Sequence, residues 1–549
     1  MHAHGLPPTR ITIALNTNQT QRAPLLLPSS ACTDPNSPTS IRNLVFKAAQ
    51  SKLRIKKPSR VFIAGSGAEL VGEEDWKSGV RNDVSLLVSA GEDYVGVNRD
   101  AGVHPQANPT CPVHVLASKA ALDSLALAQL HTTARTLPGL VLAVGQPDLH
   151  PGTKFPIGAV FVSRGWIHPP LIGGDIGCGM AWYKTRLARG QVEGDRGRKV
   201  AEKLRGVEGA WRTVGERAEW LRDGEREGAS CAAGEEWDGS VETIGAGNHF
   251  AEVQVVEEVE KGCGLGEGEV VLLVHSGSRG YGSSILKKYT SGGQVSLKED
   301  SAEAREYLRE HDRACRWAKA SRDLIALRFL SCLEPGEPAW RLGKNDADAE
   351  DVHDAIARAK AELGARRVVD IWHNNVERVK WPPLPPAGED TNEQSAASTS
   401  SQSDAYIHRK GAAPTLSPTT SLPLSILPLP GSRGTPTLIL APQFPSSTSH
   451  GLKNALSLAH GAGRSMSRAK ALSTLSQKYK ASSLLEPRGG NGTWVVCEAK
   501  DLVFEEAPEA YKDVEAVGED LVEFGAARRV GWCRARVSYK CRDERGRAG

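Results

Sequence analysis

Residues 270–276, VVLLVHS, set five consecutive apolar side chains directly before His275 and a Ser/Gly/Arg turn. A run of that kind marks a strand buried on both faces. Strand ends that open into glycine turns are common ligand sites. The same construction recurs at VVDIWHNNVER, where an apolar strand ends in His373 followed by Asn374. From about residue 113 onward, short apolar strands alternate with glycine-rich turns and occasional helices, so the pattern predicts a mixed α and β chain.

Four further segments place reactive groups beside glycines, which let a backbone approach a ligand closely. LIGGDIGCGM carries Asp175 and Cys178, a carboxylate and a thiol able to face one cation. A thiolate there can also bridge two metals. An isolated cysteine in a turn is ordinarily structural, and the adjacent aspartate and glycine frame set this one apart. A cysteine-phosphatase loop is excluded, because Lys184 stands where a phosphate-binding arginine is needed. IGAGNHFAEVQ adds Asn248, His249 and Glu252. YIHRKGAAP and LPLPGSRGTPT add His408, Arg409 and Lys410, then a nest-like turn at Gly431, Ser432 and Gly434. SLAHGAGRSMSR sets His460 before Gly461, Ala462, Gly463 and Arg464, where backbone amides can cradle a phosphate although no Walker loop is present. Asp175, Cys178, His249, His275 and His373 make a mixed O/S/N ligand set that suits one or two borderline metals such as Mn, Zn or Fe. Together with His460 they point to metal-dependent phosphoryl or nucleotidyl chemistry.

The remainder of the chain sets the frame. Its 549 residues allow two to four domains, and a net charge of +3 requires any basic groove to be local. Ten scattered cysteines without a CxxC pair suit a reducing compartment, so the chain is expected inside the cell, in cytoplasm or nucleus. The sequence predicts no signal peptide and no membrane span. Residues 1–40, rich in Pro, Thr, Ser and Asn, read as a disordered tail. Within 41–98, LVFKAAQSKLRI reads as a strand entering a helix, RVFIAG as a strand, EEDW as a helical turn and VSLLVSAG as a strand. That unit resembles the ubiquitin-like β-grasp domains of the doublecortin/CAD kind and implies a docking module with an unknown partner. Residues 99–112 read as a linker. Residues 382–405 read as a disordered insertion, with 442–455 a milder case. Leu122, Leu125, Ala126 and Leu130 predict one helix, and Tyr511, Val514, Val517, Leu521 and Phe524 another.

The six motifs, in this order, resemble the RtcB family of RNA ligases over about residues 113–549. The variants DLHPGTKFPIGA, GGDIGCGM, HRKGAAP, PGSRGT and SLAHGAGR are similar to its release-factor-H-coupled branch, which implies damaged RNA as substrate in place of tRNA halves. The resemblance implies an α+β fold with a β-rich core around a dinuclear manganese site. It makes Asp175, Cys178, His249, His275 and His373 the metal ligands, with Cys178 bridging. It makes His460 the residue that takes GMP from GTP. It places Asn248, His249, Phe250, Ala251 and Glu252 around the guanosine nucleotide, with His373, Asn374, Pro430, Gly431, Ser432, Arg433 and Thr437. Gly461, Ala462 and Gly463 form the phosphate loop, and Lys540 contacts the base, although CRDERGRAG follows it here. Arg279, Arg409, Lys410 and Arg464 are candidate phosphate clamps. The implied reaction joins an RNA 3′-phosphate or 2′,3′-cyclic phosphate to a 5′-hydroxyl, with an archease-like activator as a further partner. A metal-dependent RNA-end phosphoesterase and a catalytically inactive RNA-binding scaffold are the competing readings.

Overall fold

The computed structural model describes residues 9–95 and 110–542, apart from residues 29, 35–36, 38, 66, 82–83, 93, 223–229, 346–350, 384–401, 419 and 488–491. The chain forms two compact units, Met1–Pro105 and Gln106–Gly549.

The first unit is a four-stranded sheet in the order Asn18–Leu27, Thr9–Leu15, Ser85–Ser89, Arg60–Ile63. The first two strands form a hairpin, and Thr9–Leu15 runs parallel to Ser85–Ser89. Helix Ile41–Lys52 buries Ile41, Val45, Ala48 and Ala49 in a core shared with Ile11, Ile13, Leu27, Leu86 and Val88. Two expectations are corrected here. Much of the expected tail is this hairpin: Thr9, Ile11, Ile13 and Leu15 alternate at period two, and Ile11 and Ile13 are fully buried. The polar composition around them masks that alternation. The expected strand at LVF is instead helical. Ser40 caps the helix by accepting from the Asn43 amide, and Ile41, Val45, Ala48 and Ala49 fall on one helical face. The expected linker lies largely outside the described residues, and the two units divide within it.

The second unit is built on an eight-stranded sheet. Seven strands follow the order Arg367–Trp372, Gly179–Lys184, Val270–Ser276, Phe250–Val259, Ala527–Tyr539, Pro436–Pro442, Leu427–Pro430, each antiparallel to its neighbours. Trp494–Val496 joins Ala527–Tyr539 in parallel. A five-stranded sheet holds Asn374–Trp381, Ser403–Lys410, Ile157–Ser163, Leu140–His150 and Val113–Val115. His373 is the single residue between Arg367–Trp372, an edge strand of the large sheet, and Asn374–Trp381, an edge strand of the five-stranded one. Val270–Ser276 is buried along its whole length, which explains its uninterrupted apolar run. The two expected helices form at Ser124–Thr136 and Val514–Glu523.

Helix Ala302–Leu333 packs beneath the end of the large sheet. Its buried Arg322 donates to the carbonyls of Gly177 (2.9 Å) and Ser276 (3.1 Å) and pairs with Asp370 at 2.7 Å. One guanidinium therefore ties together three neighbouring strand ends. The expected insertion lies mostly outside the described residues, but Ser403–Ala405 belong to a strand and pair directly with Val379–Trp381. Residues 442–455 also depart from expectation, since Thr448, Asn454 and Ala455 are buried in a packed turn. Among the described residues no helix is long and apolar enough to cross a membrane.

Candidate active site

Strand register assembles the site. Gly179 pairs with both Trp372 and Ser276, and His275 pairs with Phe250. Cys178 immediately precedes Gly179–Lys184, His373 follows Arg367–Trp372, and His249 precedes Phe250–Val259. Four adjacent antiparallel strands thus deliver Cys178, His249, His275 and His373 at one edge. Ala251 pairs with Tyr539, so Lys540 arrives at the same edge from the next strand.

The Nε2 atoms of His249, His275 and His373 each lie 3.3 Å from the Sγ of Cys178. His249 Nε2 also stands 2.8 Å from Asp175 Oδ2, whose other oxygen accepts the Arg279 amide at 2.6 Å. Cys178 and the three histidines are buried. Burial, reinforced by the neighbouring histidines, pushes His275 and His373 well below the usual imidazole range, so both rings are neutral. Burial and the adjacent Asp175 push the Cys178 thiol up. Burial would raise Asp175, but His249 and the Arg279 amide hold it down. Cys178, His249 and His275 bring ligand atoms within 4.8 Å of one another, a thiol and two imidazoles able to hold a borderline cation, and His373 and Asp175 each stand at contact distance from a member of that group. Among the described residues the Nδ1 atoms of all three histidines are buried without hydrogen-bond partners, a cost that suits groups held for a ligand rather than for packing.

His460 follows the short strand Ser457–Ala459. Its ring centre is 4.7 Å from that of His373 and 6.5 Å from that of His275. Nδ1 lies 2.7 Å from Oδ2 of Asp148, which is fully buried. With a proton on Nδ1 donated to that carboxylate, the lone pair of Nε2 is free to act as a nucleophile. Gly463, at φ 70°, lets the loop turn back against Asp148, for a Cβ there would stand 2.3 Å from the Asp148 carbonyl oxygen.

A cavity of about 850 Å³ opens over this row. Its walls include Asn248, Phe250, Glu252, His275, Pro430–Arg433, His460–Arg464 and Lys540. The segments that hold Asn248, His275, Pro430–Arg433 and His460 therefore share one space, whereas Asp175, Cys178, His249 and His373 are not among its wall residues. Lys540 is buried, 5.5 Å from the Phe250 ring centre and 3.5 Å from Glu506. Burial lowers Lys540, while Glu506 is held down by Lys540, Arg464 and Arg468 against its own burial. Glu252 is raised by burial and accepts from Gln254 at 2.9 Å, and Gln254 also donates to Thr437.

Several expected residues stand elsewhere. Thr437, Ala251 and Asn374 do not line the cavity. Asn374 braces the Asp175 loop, donating to the Asp175 carbonyl at 3.2 Å and accepting from the Gly411 amide at 2.8 Å. The Ala462 amide is already bonded to the Pro430 carbonyl at 3.0 Å. Arg409 is buried against Glu377 and Ser457 and is no phosphate clamp. Arg279 binds Ser276 and Gly277 and lies over Trp317. Arg464 alone of the four suggested clamps reaches the cavity wall, paired with Glu506. Sequence reasoning missed Asp148, His150 and Glu506. The first two sit in DLHPG, an acid and an imidazole two residues apart before a turn, which was the available signal. Glu506 lies in FEEAPEAY and carries no such mark.

This geometry can be set beside known proteins. The family model described as tRNA-splicing ligase RtcB matches residues 129–215 and 212–541. The chain belongs to the RtcB family. The RNA-splicing ligase RtcB2 of Escherichia coli is 35% identical to it over 411 residues, covering 74% of this chain and 89% of that protein. The tRNA-splicing ligase RtcB of Aeropyrum pernix is 27% identical, covering 71% and 85%, and that of Thermococcus kodakarensis 28%, covering 72% and 86%. The RtcB match takes in every motif residue from Asp175 to Lys540 and leaves the first unit outside it.

Proposed function

We propose that this RtcB protein is an RNA ligase that joins 3′-phosphate or 2′,3′-cyclic phosphate ends to 5′-hydroxyl ends, using GTP and two manganese ions. The observation that carries the reading is His460. Its Nδ1 is fixed on a buried carboxylate, and it stands beside a thiol-centred cluster of three histidines.

Asp175, Cys178, His249, His275 and His373 would hold the metal, which would supply charge stabilisation to phosphoryl oxygens. Asp148 keeps the imidazole tautomer that leaves Nε2 basic. His460 Nε2 attacks the α-phosphate of GTP, forming a P–N bond as pyrophosphate leaves. A 2′,3′-cyclic phosphate is first opened by water to the 3′-phosphate; the RNA 3′-phosphate then takes the guanylyl group from His460, and the 5′-hydroxyl displaces GMP. Phe250 and Lys540 offer a ring face and a buried cation for the guanine, with Glu252 and Ser432 nearby on the wall. Arg464, set against Glu506, is the cation placed for a phosphate.

A repair role on damaged RNA rather than tRNA halves rests on the motif variants DLHPGTKFPIGA, GGDIGCGM, HRKGAAP, PGSRGT and SLAHGAGR. An intracellular setting, cytoplasm or nucleus, suits ten free thiols, and an archease-like activator belongs to the same reading. We read the first unit as a ubiquitin-like β-grasp: a hairpin, a crossing helix and a parallel pairing of its first and last strands support this. The test is incubation of one RNA ending in 3′-phosphate with one beginning in 5′-hydroxyl, plus GTP and Mn²⁺. A joined product supports ligation. Phosphate release with no joined product would support a phosphoesterase, and no reaction a scaffold.

A further inference from the structure

The charge of the chain is divided unevenly between its two units. Residues 106–549 contain 56 Lys and Arg against 56 Asp and Glu, whereas residues 1–105 contain 12 against 9 and so account for the whole net charge of +3. Within the first unit the signs separate again. Residues 1–65 hold nine Lys and Arg and the single acid Asp34. Helix Glu73–Gly79 carries Glu73, Glu74 and Asp75 in its first turn.

The fold gathers the positive side chains. Asn18–Leu27 is an edge strand of the small sheet and presents Arg22. Lys52, at the end of helix Ile41–Lys52, donates to the Pro24 carbonyl at 2.8 Å, and Gln21 donates to the Leu53 carbonyl at 2.9 Å. These two bonds bring the strand against the loop that carries Arg54, Lys56 and Lys57. Arg22, Lys47, Lys52, Arg54, Lys56 and Lys57 are all exposed. Among the described residues Arg22, Lys47, Arg54, Lys56 and Lys57 form no ion pair, so their charges face solvent uncompensated.

We propose that this edge binds the phosphodiester backbone of RNA, tethering the substrate to a ligase unit that has no net charge of its own to attract it. The inference rests on the RNA-ligase reading for its choice of polyanion. A phosphate backbone is bound largely by counterion release to clustered Lys and Arg. Covalent linkage then raises the local concentration of RNA ends at the catalytic cavity. The effect belongs in substrate affinity rather than in the chemical step.

The experiment uses the full chain with Arg22, Arg54, Lys56 and Lys57 each changed to Glu, and a milder set changed to Gln. A control changes Lys199, Lys203, Lys261 and Lys287, exposed on the second unit, to Glu. Binding to a labelled 40-nucleotide RNA is measured across salt concentrations, alongside formation of the His460 guanylyl adduct, which needs no RNA. The Glu set is expected to weaken RNA binding about tenfold or more and to reduce the slope of log affinity against log salt by about 3, as loss of four phosphate contacts requires. Adduct formation stays at the parent rate, and the control loses less affinity. Affinity and slope within twofold of the parent overturn the proposal, as does an equal loss in the control. Unchanged RNA binding with altered sedimentation would assign the edge to pairing between copies through the acidic helix, again overturning it. A parent that forms no adduct contradicts the ligase reading instead, and RNA binding still decides this one.

Discussion

The bond between His460 and Asp148 has more consequence than its size suggests. A carboxylate on Nδ1 fixes the tautomer and stabilises the cation that forms as the ring is consumed. Asp148→Asn keeps the shape and removes the charge. It is expected to slow adduct formation by about 10²–10⁴-fold while the thermal midpoint changes little, as read by guanylylation rate and calorimetry. A rate within a few-fold of the parent would show that Asp148 only packs. At this scale the sequence was informative where chemistry needs an unusual side chain beside glycine, as at Cys178 and His460. It said little where an ordinary acid acquires its role through burial. Asp148 and Glu506 are two such acids, each made by neighbours hundreds or tens of residues away. The suggested clamp Arg409 failed for the converse reason: a basic triplet in sequence does not reveal that its middle member points into the protein.

Elements turn those residues into a site. Antiparallel neighbours put successive strand ends side by side, so ligands separated by up to 195 positions meet on one thiol. Apolar runs ending in histidine made the strands legible, but their order and register depend on pairings that no local pattern encodes. Arg322 guards that register from helix Ala302–Leu333. Arg322→Ala leaves Asp370 and two carbonyls buried without their partner, and is expected to destabilise the second unit by about 3–5 kcal/mol in denaturant titration. A loss below about 1 kcal/mol would mean that the strand ends hold themselves. The first unit teaches a related lesson. A period-two alternation of four residues built its hairpin, and an N-cap serine moved a supposed strand into a helix. Both signals were present but shorter than the composition surrounding them.

At the scale of the whole molecule, the catalytic unit tolerates insertion where its hairpins end. Trp381 pairs directly with Ser403, so replacing residues 384–401 by a short turn is expected to leave the ligation rate within twofold; a large loss would give the insertion a role in RNA access. Stability has a defined acid limb. Burial holds His150 and His168 down to about 4, against about 6.5 for an unfolded histidine. The unfolded chain therefore binds more protons between those values. The contribution of these two groups is complete above about pH 6.5 and falls as pH drops towards 4, by roughly 1.4 kcal/mol per pH unit for each group. Thermal midpoints at pH 7 and pH 5 test this, and equal midpoints would contradict it. The family was legible in the sequence because six motifs agreed; the tether proposed for the first unit became visible only once its charges were placed in space. The most direct test of the whole account is incubation of the intact chain with GTP labelled on its α-phosphate and Mn²⁺, followed by denaturing electrophoresis and peptide mapping. The account predicts a covalent guanylyl adduct on His460, absent from His460→Ala and absent when metal is chelated; no adduct with any divalent metal, or an adduct that survives His460→Ala, would contradict it.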